Sequence, residues 1–594
     1  MFDMIRAKKK QQTESNHNNH FESIQDKQIV ESMPNRKEHI TRIEFNNGEA
    51  LKLESGSIVV LVGPNNAGKS QALRDIYSCL EGGYSGIVVS GLDLEKSQGL
   101  LSEKLDAYPT VQKHASDGYI DYYFLGREMT LYSSYDKEFK DEKYFGRFCD
   151  FFVANLDTRN RLNICQHAEN IDRYDPIKSP IQLVAKNPGL RDWLSNCFRK
   201  AFGAGIIPNG LFGRWTSLSI GEPINVEPSS DGLKVLDEVA KKLESYPLVQ
   251  NQGDGIKSFT GILLYLMLKN YAIYLIDEPE AFLHPPHAKV MGEIIGSSLD
   301  KDKQAFIATH SEEIIKGLLE TCPDRVKIIR ITREQNQNFF HIIDNEQFKT
   351  VWNDPLLKYS NIMSSLFYNS VVLCESDSDC KMYSIVLEYL KKQEGKYPET
   401  LFIHCGGKQR MASIAKALTT LGIFVRIVPD IDVLNNELEF KNIVESVNLK
   451  WDLISKNYKI IKADVESKSA KTKRVETKNK LMEILDSSED EYLSDKELTR
   501  LKKSFVASSP WASIKDSGSS AIPRGNSTEA FKKINEVLRS NGVFIVEVGE
   551  LECFVKEVGG EHGPQWVNTV LEKYPDIGDP VYTKLREFVS SMGL

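Results

Sequence analysis

The feature that most constrains this chain is an apolar run leading into a glycine-bounded loop, SIVVLVGPNNAGKSQAL, at residues 57–73. The apolar run predicts a buried strand from Ile58 to Val62, and a helix is expected from Ser70 onward. The loop has the spacing of a phosphate-binding loop, whose backbone N–H groups surround phosphates while its lysine reaches the terminal ones and its hydroxyl binds Mg²⁺. The expected nucleotide-binding residues are Gly63, Asn65, Asn66, Gly68, Lys69 and Ser70, with Ser70 also a metal ligand.

Length and charge limit what the rest of the chain does. A chain of 594 residues is too long for one hydrophobic core, and about three to four domains are expected. The net charge of −8 argues against a uniformly basic nucleic-acid binder, so any such site must be local. Nine cysteines without a CxxC pair indicate reduced thiols, and no apolar run reaches the roughly 18 residues of a membrane span. We expect a soluble, cytoplasmic protein without a membrane partner.

The composition of residues 1–245 changes along the chain and predicts three segments. Residues 1–38 are polar and predict a flexible N-terminal arm. The runs ITRIEF and EALKLE, separated by Asn46-Asn47-Gly48, predict a hairpin that leads into the strand at Ile58. Residues 39–130 are interpreted as the first part of a nucleotide-binding domain, and 131–245 as a mainly helical insertion that carries an arm or a dimerisation surface.

Two later strands return to the nucleotide. YAIYLIDEPE, at 271–280, predicts a buried parallel strand ending in carboxylates, where Asp277 would hold Mg²⁺ through water and Glu278 would act as general base. QAFIATHS, at 304–311, predicts another strand that places His310 near the γ-phosphate. The alternative for this histidine is an incidental position inside a capping box formed by Thr309 and Glu312.

GPNNAGKS, LIDEPE, Leu283-His284-Pro285 and ATHS occur in the order of the ABC-type ATPases of the SMC, RecF and Rad50 kind, and the chain resembles that family. The resemblance implies a second ATPase segment at 246–360 and a signature loop that binds the γ-phosphate of a dimer partner. QGDGIKSF, at 252–259, occupies its position with Gly253, Gly255 and Ser258, but it departs from the usual LSGGQ. The alternative is a plain turn before a helix from Ile256 to Leu268.

Carboxylates follow two apolar strands in the second half. VVLCESDSD, at 371–379, delivers Glu375 to a strand end with Asp379 one helical turn later, and RIVPDID, at 426–432, ends in Asp430 and Asp432. Carboxylates at the ends of neighbouring parallel strands converge, and a cation relieves their repulsion. Oxygen ligands of this kind favour Mg²⁺ or Mn²⁺.

This arrangement resembles the Toprim fold, with HCGGKQR at 404–410 as the turn between the two acidic strands and Ser376 where glycine is usual. An ABC-type ATPase followed by a Toprim domain resembles the overcoming-lysogenization-defect (OLD) family over about residues 40–594. The resemblance implies an α/β fold, a Toprim domain at 365–594, and a two-metal site completed near the C-terminus. Glu552 would be a further metal ligand, with Glu550 as the competing choice, and Lys515 would stabilise charge on the phosphate.

A charged helical insertion is expected at 433–510, inside the Toprim domain. Its basic stretch either grips a nucleic-acid backbone or is the solvated face of a helical hairpin. The basic residues are Lys456, Lys459, Lys462, Lys468, Lys471, Lys473, Arg474, Lys478 and Lys480.

The leading hypothesis is a homo-oligomeric ATPase and metal-dependent endonuclease that cuts DNA, with one Mg²⁺ at ATP and two Mg²⁺ or Mn²⁺ ions at the Toprim site. The resemblance implies a bacterial antiphage-defence role and a possible partner such as a reverse transcriptase with its small DNA. The alternatives are an ATP-driven DNA-binding scaffold with a non-cleaving Toprim domain, and a nuclease that acts on RNA.

Overall fold

A computed structural model describes residues 38–343 and 362–594, apart from 84, 107–111, 117–118, 125–126, 173–176, 211–212, 225–231, 270, 336, 468–473, 487–492, 495–496, 499–500, 502–509 and 560–561. The chain forms two compact units, Met1–Asn345 and Glu346–Leu594. The N-terminal arm expected at 1–38 lies outside the described residues except for Glu38. Glu38 is buried and its Oε1 lies 2.6 Å from the Lys104 Nζ, so this last residue belongs to the folded unit.

Fifteen strands of the first unit are described. They are β1 (His39–Phe45), β2 (Ala50–Lys52), β3 (Ile58–Val62), β4 (Val89–Glu95), β5 (Gln112–Ser116), β6 (Tyr119–Phe124), β7 (Arg127–Leu131), β8 (Val153–Leu156), β9 (Ala168–Glu169), β10 (Ile206–Asn209), β11 (Trp215–Ile220), β12 (Ile273–Asp277), β13 (Gln304–Ala308), β14 (Val326–Glu334) and β15 (Gln337–Ile343).

The central sheet has six strands in the order β15-β14-β3-β13-β12-β8. All pairings are parallel except that of β14 with β15. Every residue of β3 is buried, as expected for a strand covered on both faces. Because β3, β12 and β13 are neighbours, the ends of the three strands that carry the nucleotide motifs meet at one edge. The three strands are confirmed as predicted.

Three smaller sheets accompany the central one, with the orders β2-β1-β4, β5-β6-β7 and β10-β11-β9. In the first, β1 pairs with β2 antiparallel, so that Glu44 faces Ala50. The hairpin predicted from Asn46-Asn47-Gly48 is therefore confirmed.

Eleven α-helices are described in this unit. They are α1 (Lys69–Gly82), α2 (Leu101–Asp106), α3 (Ser133–Asp141), α4 (Cys149–Phe152), α5 (Thr158–Asn163), α6 (Pro180–Lys186), α7 (Pro188–Phe202), α8 (Gly232–Glu244), α9 (Asp254–Met267), α10 (Pro285–Ser298) and α11 (Glu312–Thr321).

The segment 131–245 is mainly helical, as predicted, since it contains α3 to α8, but one of its strands joins the central sheet. It contains β8 to β11, and β8 is the edge strand of the central sheet beside β12. The prediction is wrong for Val153–Leu156, because that strand pairs with Ile273–Ile276, far along the chain, and its four residues carry no alternating pattern. The segment therefore contributes a strand to the central sheet.

The second unit is built on a parallel sheet of three strands, β16 (Ser370–Cys374), β17 (Thr400–His404) and β18 (Val425–Val428), in the order β17-β16-β18. Isolated parallel bridges join Ile427 to Val543 and Asp430 to Val546. The chain around Val543 and Val546 thus joins the sheet only through these two bridges, and a 3₁₀ turn at Leu551–Phe554 follows. The bridges bring the C-terminal acids beside the end of β18.

Nine helices of this unit are described. They are α12 (Asp377–Gln393), α13 (Lys408–Thr420), α14 (Glu437–Ser446), α15 (Asp452–Ser467), α16 (Arg474–Leu485), α17 (Pro510–Ser517), α18 (Asn526–Ser540), α19 (Pro564–Lys573) and α20 (Thr583–Ser591).

The core of this unit packs α12 against the C-terminal helices, with Trp566 and Tyr582 fully buried. The predicted charged insertion contains α14, α15 and α16. Lys468, Lys471, Lys473 and most of the acidic stretch after them lie outside the described residues. Lys462 lies 3.8 Å from Glu437, so one basic residue of this region faces an acid.

Candidate functional site

The phosphate loop lies between β3 and α1, as predicted. The buried Lys69 Nζ donates to the carbonyls of Gly63 at 2.9 Å and Pro64 at 2.7 Å, which holds the loop closed around the ammonium group. Burial lowers the pKa of Lys69 to about 8. Gly68 has φ 99°, a conformation that favours glycine, and begins α1. Asn65 and Asn66 are exposed on the loop.

The two residues expected to hold the nucleotide's Mg²⁺ meet directly. The Ser70 hydroxyl donates to the Asp277 carboxylate at 2.8 Å, although 207 positions separate them. Burial raises the pKa of Asp277. Glu278 has φ 47°, and its Oε1 lies 3.9 Å from the Nε2 of His310. Burial, together with the Lys69 charge, lowers the pKa of His310 to about 4, which favours the neutral imidazole.

Sequence reasoning missed a half-buried acid, Glu280, and a buried arginine, Arg161, that shape this site. The Glu280 carboxylate accepts a hydrogen bond from the His310 backbone N–H at 2.6 Å. Arg161, which is completely buried, donates to the carbonyl of Glu278 at 3.2 Å and to the carbonyl of Asp277. Arg161 therefore fixes the backbone that carries Asp277, the predicted Mg²⁺ ligand, and Glu278, the predicted general base. No motif surrounds it, and its partners lie more than 100 positions away.

The signature-loop residues divide into two groups. Gly253 begins α9, and a Cβ on Gly255 would lie 2.5 Å from the Phe282 carbonyl oxygen, so glycine is required there. Ser258 is completely buried inside α9. Its hydroxyl is closed to a nucleotide on a second molecule, and its position gives the prediction for Ser258 no support.

The predicted capping box is also different. Ser311 begins α11 and its hydroxyl accepts from the Glu313 N–H at 3.2 Å, whereas the Thr309 hydroxyl accepts from the Ser311 N–H at 3.0 Å. A box formed by Thr309 and Glu312 is therefore wrong.

The predicted acids of the second unit, except Asp432, line one pocket of about 930 Å³. We refer to it as the acid pocket. Six of the predicted site residues line it: Glu375, Asp379, Asp430, Lys515, Glu550 and Glu552.

The first ligand group consists of Glu375, Asp430 and Asp432, each of which offers an oxygen within 4.8 Å of the others. The Glu375 carboxylate accepts from the Asp430 N–H at 3.0 Å. Burial, then the neighbouring carboxylates, raises the pKa of both Glu375 and Asp430. Lys408, which the sequence did not single out, donates to the Asp432 Oδ2 at 2.9 Å, while the buried Oδ1 of Asp432 has no hydrogen-bond partner among the described residues.

Asp379 has a structural task besides its place in the acid pocket. Its carboxylate accepts from the Ser376 N–H at 2.8 Å, and the Ser376 hydroxyl accepts from the Asp379 N–H at 3.3 Å. The two residues form a capping box at the start of α12, which accounts for serine where glycine was expected. Burial raises the pKa of Asp379.

The second ligand group consists of Glu550, Glu552 and His562, whose ligand atoms also lie within 4.8 Å of one another. The Lys515 Nζ lies 3.2 Å from the Glu550 Oε2. His562 was not predicted, because it follows the acids by ten residues and belongs to no motif. Both competing acids, Glu550 and Glu552, are therefore available at the same place.

The glycine turn connects the two halves of the first ligand group. Gly406 and Gly407 have φ 68° and 111° and precede α13. The Gly407 N–H donates to the Glu375 carbonyl at 3.0 Å, so the turn approaches the acidic strand closely, as predicted.

Comparison with known proteins supports the nucleotide half. Residues 229–315 match the family described as AAA ATPase domain, a range that contains Asp277, Glu278 and His310. Such a domain implies nucleotide binding. The Old nuclease of Escherichia phage P2 is 22% identical over 176 residues, which is 29% of each chain, so this chain spans less than a third of that relative.

Among solved structures, an SMC head bound to the C-terminal winged-helix domain of ScpA is 14% identical, with a TM-score of 0.32 over 54% of this chain and 100% of that one. The SMC head domain from Thermotoga maritima is 11% identical, with a TM-score of 0.28 over 52% and 99%. Among the described residues, none of the helices is both long and apolar enough to cross a membrane. The chain has an α/β fold and is similar to AAA ATPase domains around β12, and more weakly to an Old nuclease.

Proposed function

We propose that this protein is an ATPase whose Toprim-like second unit cuts DNA with divalent metal ions. The observation that carries the proposal is the acid pocket of about 930 Å³, which is lined by Lys515, by Glu375 and Asp430 of the first ligand group, and by all three residues of the second. Two groups of metal ligands beside a lysine are the side chains that a two-metal phosphodiesterase requires.

The acid pocket suits hard divalent cations. Its first ligand group offers carboxylate oxygens, the donors that Mg²⁺ and Mn²⁺ prefer. The buried Oδ1 of Asp432 has no hydrogen-bond partner among the described residues. Burial and the neighbouring carboxylates raise the pKa of Glu375 and Asp430, so a bound cation would favour the charged carboxylates that ligate it. When bound, two such ions supply an activated water and stabilise the leaving oxygen of the phosphodiester.

The side chains would divide the remaining tasks. Glu375 and Asp430 orient the first ligand group, since the backbone N–H of one bonds the carboxylate of the other. Lys515 would release its ion pair with Glu550 and then neutralise charge on the phosphate. At the nucleotide site, Ser70 and Asp277 hold Mg²⁺, Glu278 polarises the attacking water, and His310 contacts the γ-phosphate.

The nucleotide would control cutting rather than drive it. We propose a homodimer or higher homo-oligomer formed through the first unit, with Gly253 and Gly255 near the partner's nucleotide. We also propose a role as an antiphage-defence effector, restrained by a partner such as a reverse transcriptase with its small DNA, from the resemblance of the sequence to the OLD family; the similarity to the Old nuclease of Escherichia phage P2 supports only the nuclease part of this proposal.

The test uses purified full-length protein and supercoiled plasmid in Mg²⁺ or Mn²⁺. Glu375→Ala and Asp430→Ala should each abolish nicking while ATP binding is retained. Glu388→Ala, which removes an exposed carboxylate from the same helix as Asp379, is the matched control and should nick normally. Undiminished nicking by Glu375→Ala would reject the site; parallel assays with single-stranded DNA and RNA define the substrate.

A second candidate is an ATP-driven DNA-binding scaffold that does not cut. The ion pairs Lys408–Asp432 and Lys515–Glu550, at 2.9 and 3.2 Å, favour it, because they neutralise part of the pocket without a metal. This candidate predicts ATP-dependent DNA binding and no cleavage with any divalent ion.

A further inference from the structure

His562 changes the chemistry of one side of the acid pocket. Its Nδ1 lies 3.8 Å from the Oε1 of Glu550 and 3.7 Å from the Oε1 of Glu552. The other oxygen of Glu550 faces Lys515, so its two oxygens are directed to different partners. The Glu552 Oε1 also accepts from the Gly563 N–H at 2.8 Å, which fixes its orientation beside the imidazole.

These distances suit three ligands of one ion. Ligand atoms about 2.0–2.2 Å from a metal lie roughly 3 to 4.3 Å from one another, depending on the angle between them. Both measured separations, 3.7 and 3.8 Å, fall in that range without any movement of the side chains.

A further observation comes from a buried tyrosine on the helix that begins beside the acid pocket. Tyr383, on α12 one turn after Asp379, is 1% exposed, and its hydroxyl has no hydrogen-bond partner among the described residues. Burial, followed by the charges of Asp379, Asp430 and, more weakly, Glu552, raises its pKa. A buried hydroxyl without a hydrogen-bond partner among the described residues therefore lies within the electrostatic influence of carboxylates from both ligand groups.

We propose that His562 donates a nitrogen ligand to a divalent cation held by Glu550 and Glu552, so that this half of the pocket selects Mn²⁺ or a similar transition-metal ion over Mg²⁺. An imidazole nitrogen shifts preference in that direction, whereas the all-carboxylate group of Glu375, Asp430 and Asp432 does not. The inference deepens the proposed function and rests on it for its biological meaning, but its test does not require cleavage.

The competing interpretation is an ion pair, in which a protonated His562 neutralises the two glutamates. Both arrangements place the imidazole near the carboxylates. Only in the metal-site arrangement does a bound metal have an imidazole nitrogen as a ligand. Pulsed electron paramagnetic resonance detects such a nitrogen as ¹⁴N modulation of the signal of bound Mn²⁺.

The experiment adds substoichiometric Mn²⁺ to nucleotide-free, full-length protein. Wild type should show histidine ¹⁴N modulation, and His562→Gln should lose it. The side chain of His562 is 76% exposed, so the substitution is not expected to disturb folding. His404→Gln is the matched control, since His404 lines the same pocket outside both ligand groups, and it should keep the modulation.

Competition with Mg²⁺ gives a second readout. His562→Gln should lower the preference for Mn²⁺ over Mg²⁺ at the tighter Mn²⁺ site by about tenfold or more. Equal ¹⁴N modulation in wild type and His562→Gln, or none in wild type, would overturn the assignment. If wild type shows the modulation and no protein nicks plasmid, the proposed nuclease function fails and the ligand assignment stands.

Discussion

In the phosphate loop, the buried Lys69 ammonium is surrounded by carbonyl oxygens, and Arg161 in the same unit is bonded to the backbone of Asp277 and Glu278. In the acid pocket, by contrast, Glu375 and Asp430 are negative groups that face one another, and burial raises the pKa of both. A buried charge is tolerable when fixed dipoles compensate it and costly when another charge of the same sign lies beside it.

The two sites therefore differ in how the ligand-free protein is arranged to bind an ion. The phosphate loop is already held in its binding shape by internal hydrogen bonds, so an anion would displace few of them. The acid pocket stores repulsion that only a cation or protons relieve. Four substitutions examine this contrast, and each is measured on the full chain.

The largest effect is expected from Lys69→Ala. Loss of the buried cation should weaken ATP binding about hundredfold or more, since a hydrogen bond to a charged group contributes about 1.5–3 kcal/mol and more than one is lost. Fluorescent-nucleotide titration measures the change, and Lys52→Ala, on the exposed side of β2, should have no effect. A simultaneous loss of Mn²⁺ binding in the acid pocket would break the contrast, because the two sites would then be one coupled system.

Arg161→Ala should lower the free energy of unfolding of the first unit by about 2–3 kcal/mol, because the half-buried carbonyls of Asp277 and Glu278 lose a charged donor. Chemical denaturation followed by fluorescence gives the midpoint. Arg159→Ala removes an exposed arginine from the same helix and should change stability by less than about 0.5 kcal/mol. Similar midpoints for the two variants would show that backbone compensation contributes little.

Asp430→Asn should stabilise the metal-free second unit by about 1 kcal/mol, because a neutral amide replaces a repelled carboxylate. Its thermal midpoint in EDTA should rise by about 2–4 °C. The same variant should lose most of the stabilisation that Mn²⁺ gives wild type. A thermal midpoint of Asp430→Asn below that of wild type in EDTA would contradict the repulsion between carboxylates in the pocket.

The smallest effect concerns pH. Burial lowers the pKa of His310 from 6.5 to about 4, so the folded state resists a proton that the unfolded state accepts. The contribution to stability is complete above pH 6.5 and is lost as pH falls toward 4. His310→Gln should flatten this part of the stability profile by at most about 1 kcal/mol, because the side chain is partly exposed. The exposed His167→Gln serves as control, and an unchanged slope in His310→Gln would reject the effect.

Most of the elements that carry motifs could be predicted from the sequence. The strand Ile58–Val62 has the predicted bounds, and the strands before Asp277, His310, Glu375 and Asp430 are present and parallel. Continuous apolar runs that end in polar residues identify such strands because burial on both faces requires apolar side chains at every position.

The remaining site residues had no local signal. Arg161, Lys408 and His562 act through partners that lie 116, 24 and 10 to 12 positions away, and none belongs to a periodic pattern. Strand β8 was not predicted for the same reason, because its pairing with β12 is formed only in the completed sheet. Single charged residues acquire their roles only when the fold brings distant segments together.

The pairing of β3 with β13 joins Val59 to Phe306, and β14 joins the same strand from residue 326 onward. During synthesis, β3 therefore has neither neighbour until more than 240 further residues have emerged from the ribosome. Its five apolar residues, all buried in the finished sheet, would remain available to chaperones or to other nascent chains throughout that interval. The strand that begins the nucleotide site is thus synthesised early, but its apolar residues are protected from other chains only when its neighbouring strands have been made.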